Sequence, residues 1–391
     1  MILLDAAATT PVRRAALEAA WPYLTGVFGN PSSVHEPGLA AARGLADARA
    51  AVAEFLGCRP AEVVFTSGGT EGANLCIKGL ALAAVLESGR GRHVVTTRLE
   101  HEAVLGSVGY LARVHGFAVT FVETDATGLA HPDALRAALR SARPGGTALV
   151  TIGWANNEVG TVQDVAALAS VAHEAGALFH TDAVQAAAAL PVDVGALGVD
   201  ALSLSGHKLG APKGSGAVFV RAGVPLEPLL HGGGQERGRR SGTENVAWAV
   251  ALAAACREVA AERASAGAGP RAAGDGVETL LASASAAGAR LTGHPSARLP
   301  RHASFIMPGV NGETVLLELE RRGVIASAGS ACAAGRTEPS HVLLALGCTP
   351  DEASAALRFT WTADVTPAQL AEAARALPEA VAAASASARR H

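Results

Sequence analysis

Lysine is nearly absent from this chain of 391 residues: only Lys78, Lys208 and Lys213 occur, and the other basic side chains are arginine. Cysteine is scarce too, at Cys58, Cys76, Cys256, Cys332 and Cys348, with no Cys-x-x-Cys pair. An odd, scattered set argues for reduced thiols and against a disulfide framework. No apolar run reaches the ~18 residues of a membrane span, because charges, glycine or proline interrupt each one. The opening MILLDAAATTPVRR has neither the basic start nor the long apolar region of a secretory signal, so a cytoplasmic protein is expected. Charge is almost balanced, 32 basic against 35 acidic residues, which disfavours a direct nucleic-acid binder. A P-loop, a helix-opening GxGxxG and a His-Glu-x-x-His zinc helix are all missing.

What remains is a long alternation. Short β-rich runs (EVVFTS, RHVVTT, FAVTFVET, TALVTIGWA, ALFHTDA, VDALSLS, GAVFVR) are separated by helical patterns from about residue 40 to 250. Such spacing predicts a mainly parallel sheet with ligands beyond the carboxyl ends of its strands. Residues 257–290 turn Ala/Gly/Ser-rich and read as a long amphipathic helix with a polar break, a flexible linker being the alternative, followed by a smaller α+β unit.

Three features lie at strand ends. In VVFTSGGTEGANL a strand runs into Ser67-Gly68-Gly69-Thr70 at a helix start, where glycines let backbone N–H groups approach an anion and Thr70 can cap. ALFHTDAVQ puts Asp182 straight after a strand, able to cap the next segment or to meet a cationic ring nitrogen. SLSGHKLGAPKG ends a strand at Lys208, and arginine cannot replace lysine as an amine nucleophile. Anion cradle, carboxylate and amine are together the parts that pyridoxal 5'-phosphate requires.

The motifs LDAAATTPV, FGNPSSVHEPG, VVFTSGGTE, EHEAVL, ANNEVGTVQD, HTDAVQ, SLSGHKLGAPKG, HGGGQERGRRSGTEN, GSACAAG, EPSHVL and LRFT occur in that order nearly end to end. In this the chain resembles the cysteine desulfurases of the class-V aminotransferase family. The resemblance implies an α/β protein of the pyridoxal-phosphate transferase fold type I, aspartate aminotransferase-like. A large domain would span 14–256; a small one would combine 1–13 with 257–391 and carry a mobile loop at about 326–337. It further implies that Lys208 holds the cofactor, that Gly69, Thr70, Ser205 and His207 bind its phosphate, and that Asp182 pairs with its ring nitrogen. Gln185 would contact the ring oxygen and His101 would stack on the ring and move protons. Asn157 would contact cofactor and substrate, and Arg358 would grip the substrate carboxylate with Asn30 assisting. Thr243 would reach the phosphate of a partner subunit, which makes the expected protein a homodimer. Lys213 reads as a loop residue near the site and Lys78 as a solvated helix residue.

By the same resemblance Cys332, in ASAGSACAAGRTEPSHVL, would take sulfur from L-cysteine as a persulfide and leave alanine. It would then serve a sulfur-acceptor protein, either an iron–sulfur scaffold or a sulfur carrier, where transient iron contact at Cys332 is conceivable. Other class-V enzymes, such as a selenocysteine lyase or an aminotransferase, and a non-catalytic sulfur relay are the alternatives. Gly72 and Ala73 stand where relatives often have Ser-Asp, and Ala6 where Asn, His or Tyr is common.

Overall fold

The computed structural model describes residues 1–141, 145–266, 274–328 and 339–388. Twelve strands form three sheets among these residues. They are β1 (Ile2–Leu3), β2 (Val63–Thr66), β3 (His93–Thr97), β4 (Ala118–Val122), β5 (Leu149–Thr151) and β6 (Leu178–Asp182). β7 (Ala201–Ser205), β8 (Gly216–Val220), β9 (Arg290–Leu291), β10 (His302–Ile306), β11 (Val324–Ile325) and β12 (Ala356–Thr360) complete the set.

The large sheet has seven strands in the order β2-β8-β7-β6-β5-β3-β4. Only β8 runs antiparallel to its neighbours; the β7-β6-β5-β3-β4 pairings are parallel. Alternate side chains point to opposite faces, and both faces are covered. Val94, Leu149, Ala201 and Val218 face a cluster with Leu75, Ile77 and Leu80 of the helix Gly69–Ser88. Their neighbours Val95, Val150, Leu202 and Phe219 face a second cluster with Val52, Leu56, Leu168 and Leu252. Burial on both faces is why these strands read as continuous apolar runs in the sequence.

The predicted helix over 257–290 is represented by two, Val246–Ala266 and Gly274–Ala286. The first packs on the helices Arg14–Thr25 and Glu36–Leu56. The second joins a separate cluster around the antiparallel sheet β12-β10-β9, with Phe305, Leu319, Leu357, Phe359 and Leu377 at its centre. Ile2 and Leu4 belong to this same cluster. β1 pairs in parallel with β11, and Asp5 bridges Thr360. The amino-terminal residues thus pack with the C-terminal third, then cross to the large sheet through Ala6–Thr10. No helix among the described residues is long and apolar enough to cross a membrane.

Candidate active site

The sheet delivers polar residues to one cavity of about 230 Å³ at the carboxyl ends of its strands. Gly69, Thr70, His101, Asn157, Asp182, Gln185, Ser205, His207 and Lys208 all line it, together with Ala8, Glu100 and Gly153.

The cradle comes from the turn between β2 and the helix Gly69–Ser88. Gly68 has φ 153° and precedes a helix start that no side chain caps. Thr70 therefore does not act as the cap; instead the Glu71 carboxylate reaches back to accept from Ser67 N–H at 2.8 Å and pairs with Arg240 at 2.8 Å. The approach is close. A Cβ on Gly69 would lie 2.7 Å from Val184 Cγ2, and one on Gly216 would lie 2.6 Å from Gly68 Cα. Gly72 has a packing reason as well, since a Cβ there would meet Val218 at 3.0 Å.

Lys208 sits on the short helix Gly206–Leu209 just after β7. A Cβ at Gly206 would lie 2.1 Å from Ser215 Oγ, so only glycine lets this turn fold against β8. The half-buried Lys208 Nζ donates to the carbonyls of Ala7 and Ala8. His207 Nδ1 lies 3.1 Å from Thr9 Oγ1. Burial, with Lys208 and Lys213 nearby, pushes the His207 imidazole down to about 4, so it is neutral at physiological pH. Lys213 is exposed, and its effect on His207 puts it near the site.

Asp182 ends β6. Its Oδ1 accepts from Val184 N–H at 2.8 Å, so it does cap the next segment. Burial raises its carboxyl above the ordinary range, while that N–H, His101 and Lys208 oppose the rise. Gln185 Nε2 donates to the Ala7 carbonyl at 3.1 Å. His101 opens the helix Glu102–His115, its Nδ1 accepting from Ala103 N–H at 3.0 Å.

Glu100 is the residue that motif reading missed, although it stands beside His101 in EHEAVL. It is only 6 % exposed. Its two oxygens accept from Thr97 Oγ1 at 2.7 Å and from Gly153 N–H at 2.8 Å. Burial pushes its carboxyl up to about 7, opposed by those two donors and reinforced by Asp182. A carboxylate one residue from a strand-end histidine was the available signal, but its burial depends on β5, some fifty residues away.

Other expected residues lie outside this cavity. Arg358, on β12, is fully buried; it donates to the Asn157 carbonyl at 3.1 Å and pairs with Asp5 at 2.9 Å. Asn157 thus links the cavity to Arg358. Thr243 lines a separate cavity of about 180 Å³ with Ser67, Gly216, Arg240 and Trp248. Asn30 is exposed, and its Oδ1 accepts from Ser32 N–H. Cys332 lies outside the described residues. Cys76 and Cys256 are buried, and burial raises both thiols, Cys256 to about 12. Lys78 departs from the solvated reading: it is half-buried, with Nζ 4.2 Å from the centre of the Tyr110 ring.

The residues present fit pyridoxal 5'-phosphate. The uncapped helix start offers backbone N–H groups to a phosphate. The buried Asp182 carboxyl, raised by desolvation, is the group a cationic ring nitrogen would stabilise as a carboxylate. The Lys208 amine reaches the same cavity from the carboxyl end of the adjacent parallel strand β7.

A family model described as Aminotransferase class-V matches residues 2–370. The chain is 42 % identical over 360 residues to "Cysteine desulfurase IscS" of Methanosarcina thermophila, covering 92 % of this chain and 86 % of that protein. Among solved structures it superposes on a "NifS-like protein" with TM-score 0.87 and 33 % identity, covering 97 % of this chain and 99 % of the other. It also superposes on "SspA in complex with cysteine" with TM-score 0.78 and 35 % identity, covering 92 % and 98 %.

Proposed function

Because this chain belongs to the class-V aminotransferase family, we propose that it is a cysteine desulfurase, taking sulfur from L-cysteine and releasing L-alanine. The observation that carries the reading is the convergence of Lys208, Asp182 and His101 with the uncapped helix start in one cavity.

Lys208 would hold pyridoxal phosphate through Nζ, Asp182 would hold its ring nitrogen and Gln185 its ring oxygen. Gly69, Thr70, Ser205 and the neutral His207 would hold its phosphate, and His101 would cover its face. When bound, that group supplies an electron sink that weakens the bonds around the substrate α-carbon. The chain's own residues do the rest. Lys208 Nζ, resting on the Ala7 and Ala8 carbonyls, takes the α-proton once it is neutral. Asn157 orients the substrate, and Arg358 binds its carboxylate after exchanging part of its contact with Asp5. A thiolate at Cys332 then attacks the substrate sulfur. A sulfur–sulfur bond forms, the carbon–sulfur bond breaks, and the carbon gains a proton to give alanine. The Cys332 persulfide passes its outer sulfur to an acceptor, an iron–sulfur scaffold or a sulfur carrier, in the cytoplasm.

The division into a large unit of 14–256 and a small unit from both termini belongs to the same reading. So does a homodimer with shared sites. Two features support it: Thr243 lines a cavity that shares no residue with the first, and large apolar side chains cluster exposed between Leu17 and Leu39.

The test is reconstitution with pyridoxal phosphate followed by incubation with L-cysteine. Wild type should yield alanine and a Cys332 persulfide, and borohydride should fix a cofactor mass adduct that Lys208→Ala abolishes. Cys332→Ser should keep the adduct and lose sulfide release. A wild type without the adduct, or a serine variant that still releases sulfide at the wild-type rate, overturns the proposal.

A further inference from the structure

The ladder between β3 and β5 is short. It pairs Val94 with Leu149 and Val95 with Val150, and no further. Beyond those pairs the segments that follow both strands line the cavity. His101 follows β3 by four residues. On the other side, Trp154 N–H, three residues past β5, donates to the Asp182 carbonyl at 2.9 Å. Where the ladder stops, the Glu100 side chain continues the connection. One oxygen takes the Thr97 hydroxyl at the end of β3, and the other takes the Gly153 amide next to Trp154. The link runs from His101 through Glu100, Gly153 and Trp154 to the backbone of Asp182.

The fit at this bridge is tight. A Cβ on Gly153 would lie 3.0 Å from Glu100 Oε2, so the carboxyl rests directly on the strand end. The backbone around it is fixed as well: His341 Nε2 donates to the Glu100 carbonyl at 3.0 Å, and Asn156 Nδ2 donates to the Leu99 carbonyl at 2.8 Å. Glu100 is a buried acid that lines the cavity beside Thr97 and Gly153. Its removal would leave the Gly153 amide and the Thr97 hydroxyl without their acceptor, and the two strand ends joined by the Asn156–Leu99 hydrogen bond in place of three.

We propose that Glu100 is a positioning residue whose side chain sets the spacing between His101 and Asp182, and so the width of the slot for a planar cofactor ring. This rests on the functional reading above for the identity of the ring. What matters is the geometry of two hydrogen bonds, not a negative charge. Glutamine can reproduce both, its oxygen accepting from Gly153 and its amide donating to the Thr97 hydroxyl. Alanine can reproduce neither.

The experiment titrates the apo forms of wild type, Glu100→Gln, Glu100→Ala and Thr97→Val with pyridoxal phosphate. Binding is followed by tryptophan fluorescence, and the bound cofactor's visible circular dichroism reports its orientation. Glu100→Ala should bind about tenfold more weakly, with a changed dichroic band. Thr97→Val, which removes half the clamp, should fall between it and wild type. Glu100→Gln should match wild type in both readouts. Wild-type behaviour of the alanine variant overturns the inference, and so does a glutamine variant as impaired as alanine. If alanine does not fold, a valine variant with unchanged affinity and dichroism overturns it. Failure of wild type to bind pyridoxal phosphate at all would instead overturn the functional reading.

Discussion

A buried acid leaves a trace in the pH dependence of folding. The Glu100 carboxyl is pushed up to about 7 in the folded chain, against about 4.3 when unfolded. The folded state therefore holds a proton that the unfolded state has already lost between these values. Stability should fall as pH rises through that window, by up to about 4 kcal/mol from this group. The neutral His180 and His302, pushed down to about 3 by burial, act in the opposite sense over a window from about pH 3 to 6.5 that overlaps this one. Subtraction isolates Glu100: the stability of apo wild type minus that of apo Glu100→Gln, from urea unfolding, should decline between pH 4.5 and 7. Parallel profiles would mean that the carboxyl titrates normally. At this scale Lys208, Asp182 and the glycine turn were legible because each stands within a few residues of an apolar run that ends, whereas His101 was implied by the motif resemblance. Glu100 was not, since its partners Gly153 and Thr97 meet only once β5 and β3 lie side by side. Arg358 was visible in LRFT, but its ion pair with Asp5 was not.

Among the elements, the large sheet was the most readable part, because strands covered on both faces leave uninterrupted apolar stretches between amphipathic helices. The direction of β8 was not read. Its connection from β7 covers residues 206–215 and contains only the short helix Gly206–Leu209. That is shorter than the ~12 residues a parallel crossover needs, so the strand returns antiparallel. The loop 231–245 hides another feature. Glu236 and Arg237 adopt left-handed backbone, φ 50° and 60°, in consecutive non-glycine residues. Such conformations cost on the order of 1–3 kcal/mol each. Two contacts offset the strain: Glu236 takes a two-pronged bond from Arg49, at 2.6 and 2.7 Å, and Arg237 donates to the Val63 carbonyl at 2.6 Å. The Arg49–Glu236 pair is almost wholly buried. Arg49→Ala should therefore lower stability by about 3–5 kcal/mol, because it strands a buried carboxylate. Chemical denaturation measures this; a loss below about 1 kcal/mol would place the pair among exposed bridges in effect.

For the whole molecule, the exposed apolar surface is unevenly distributed. Trp21, Phe28 and Val34 are 66 %, 76 % and 90 % exposed, and Leu17, Leu24 and Leu39 lie in the same stretch of sequence. Leu17, Trp21 and Leu24 follow a four-then-three spacing along the helix Arg14–Thr25, which aligns them on one side. Such concentration marks an interaction face. If that face joins two copies, Trp21→Glu combined with Phe28→Glu should convert a dimer into monomers in sedimentation velocity. Dimers that persist unchanged would assign the contact to another face. Neither the face nor the second cavity at Thr243 could be read from spacing alone, since exposure is a property of the finished packing.

The meeting of Asp5, Asn157 and Arg358 has a consequence for how the protein is made. Asp5 and Arg358 are 353 positions apart, so at ~5–20 residues per second the arginine leaves the ribosome about 20–70 s after its partner. For most of that interval, until Val324 and Ile325 are made, the first strand has nothing to pair with, and the carbonyls on which the Lys208 amine comes to rest have no fixed address. The nascent chain can complete its seven-stranded sheet early, yet the chemistry waits for an arginine translated 353 positions after its partner.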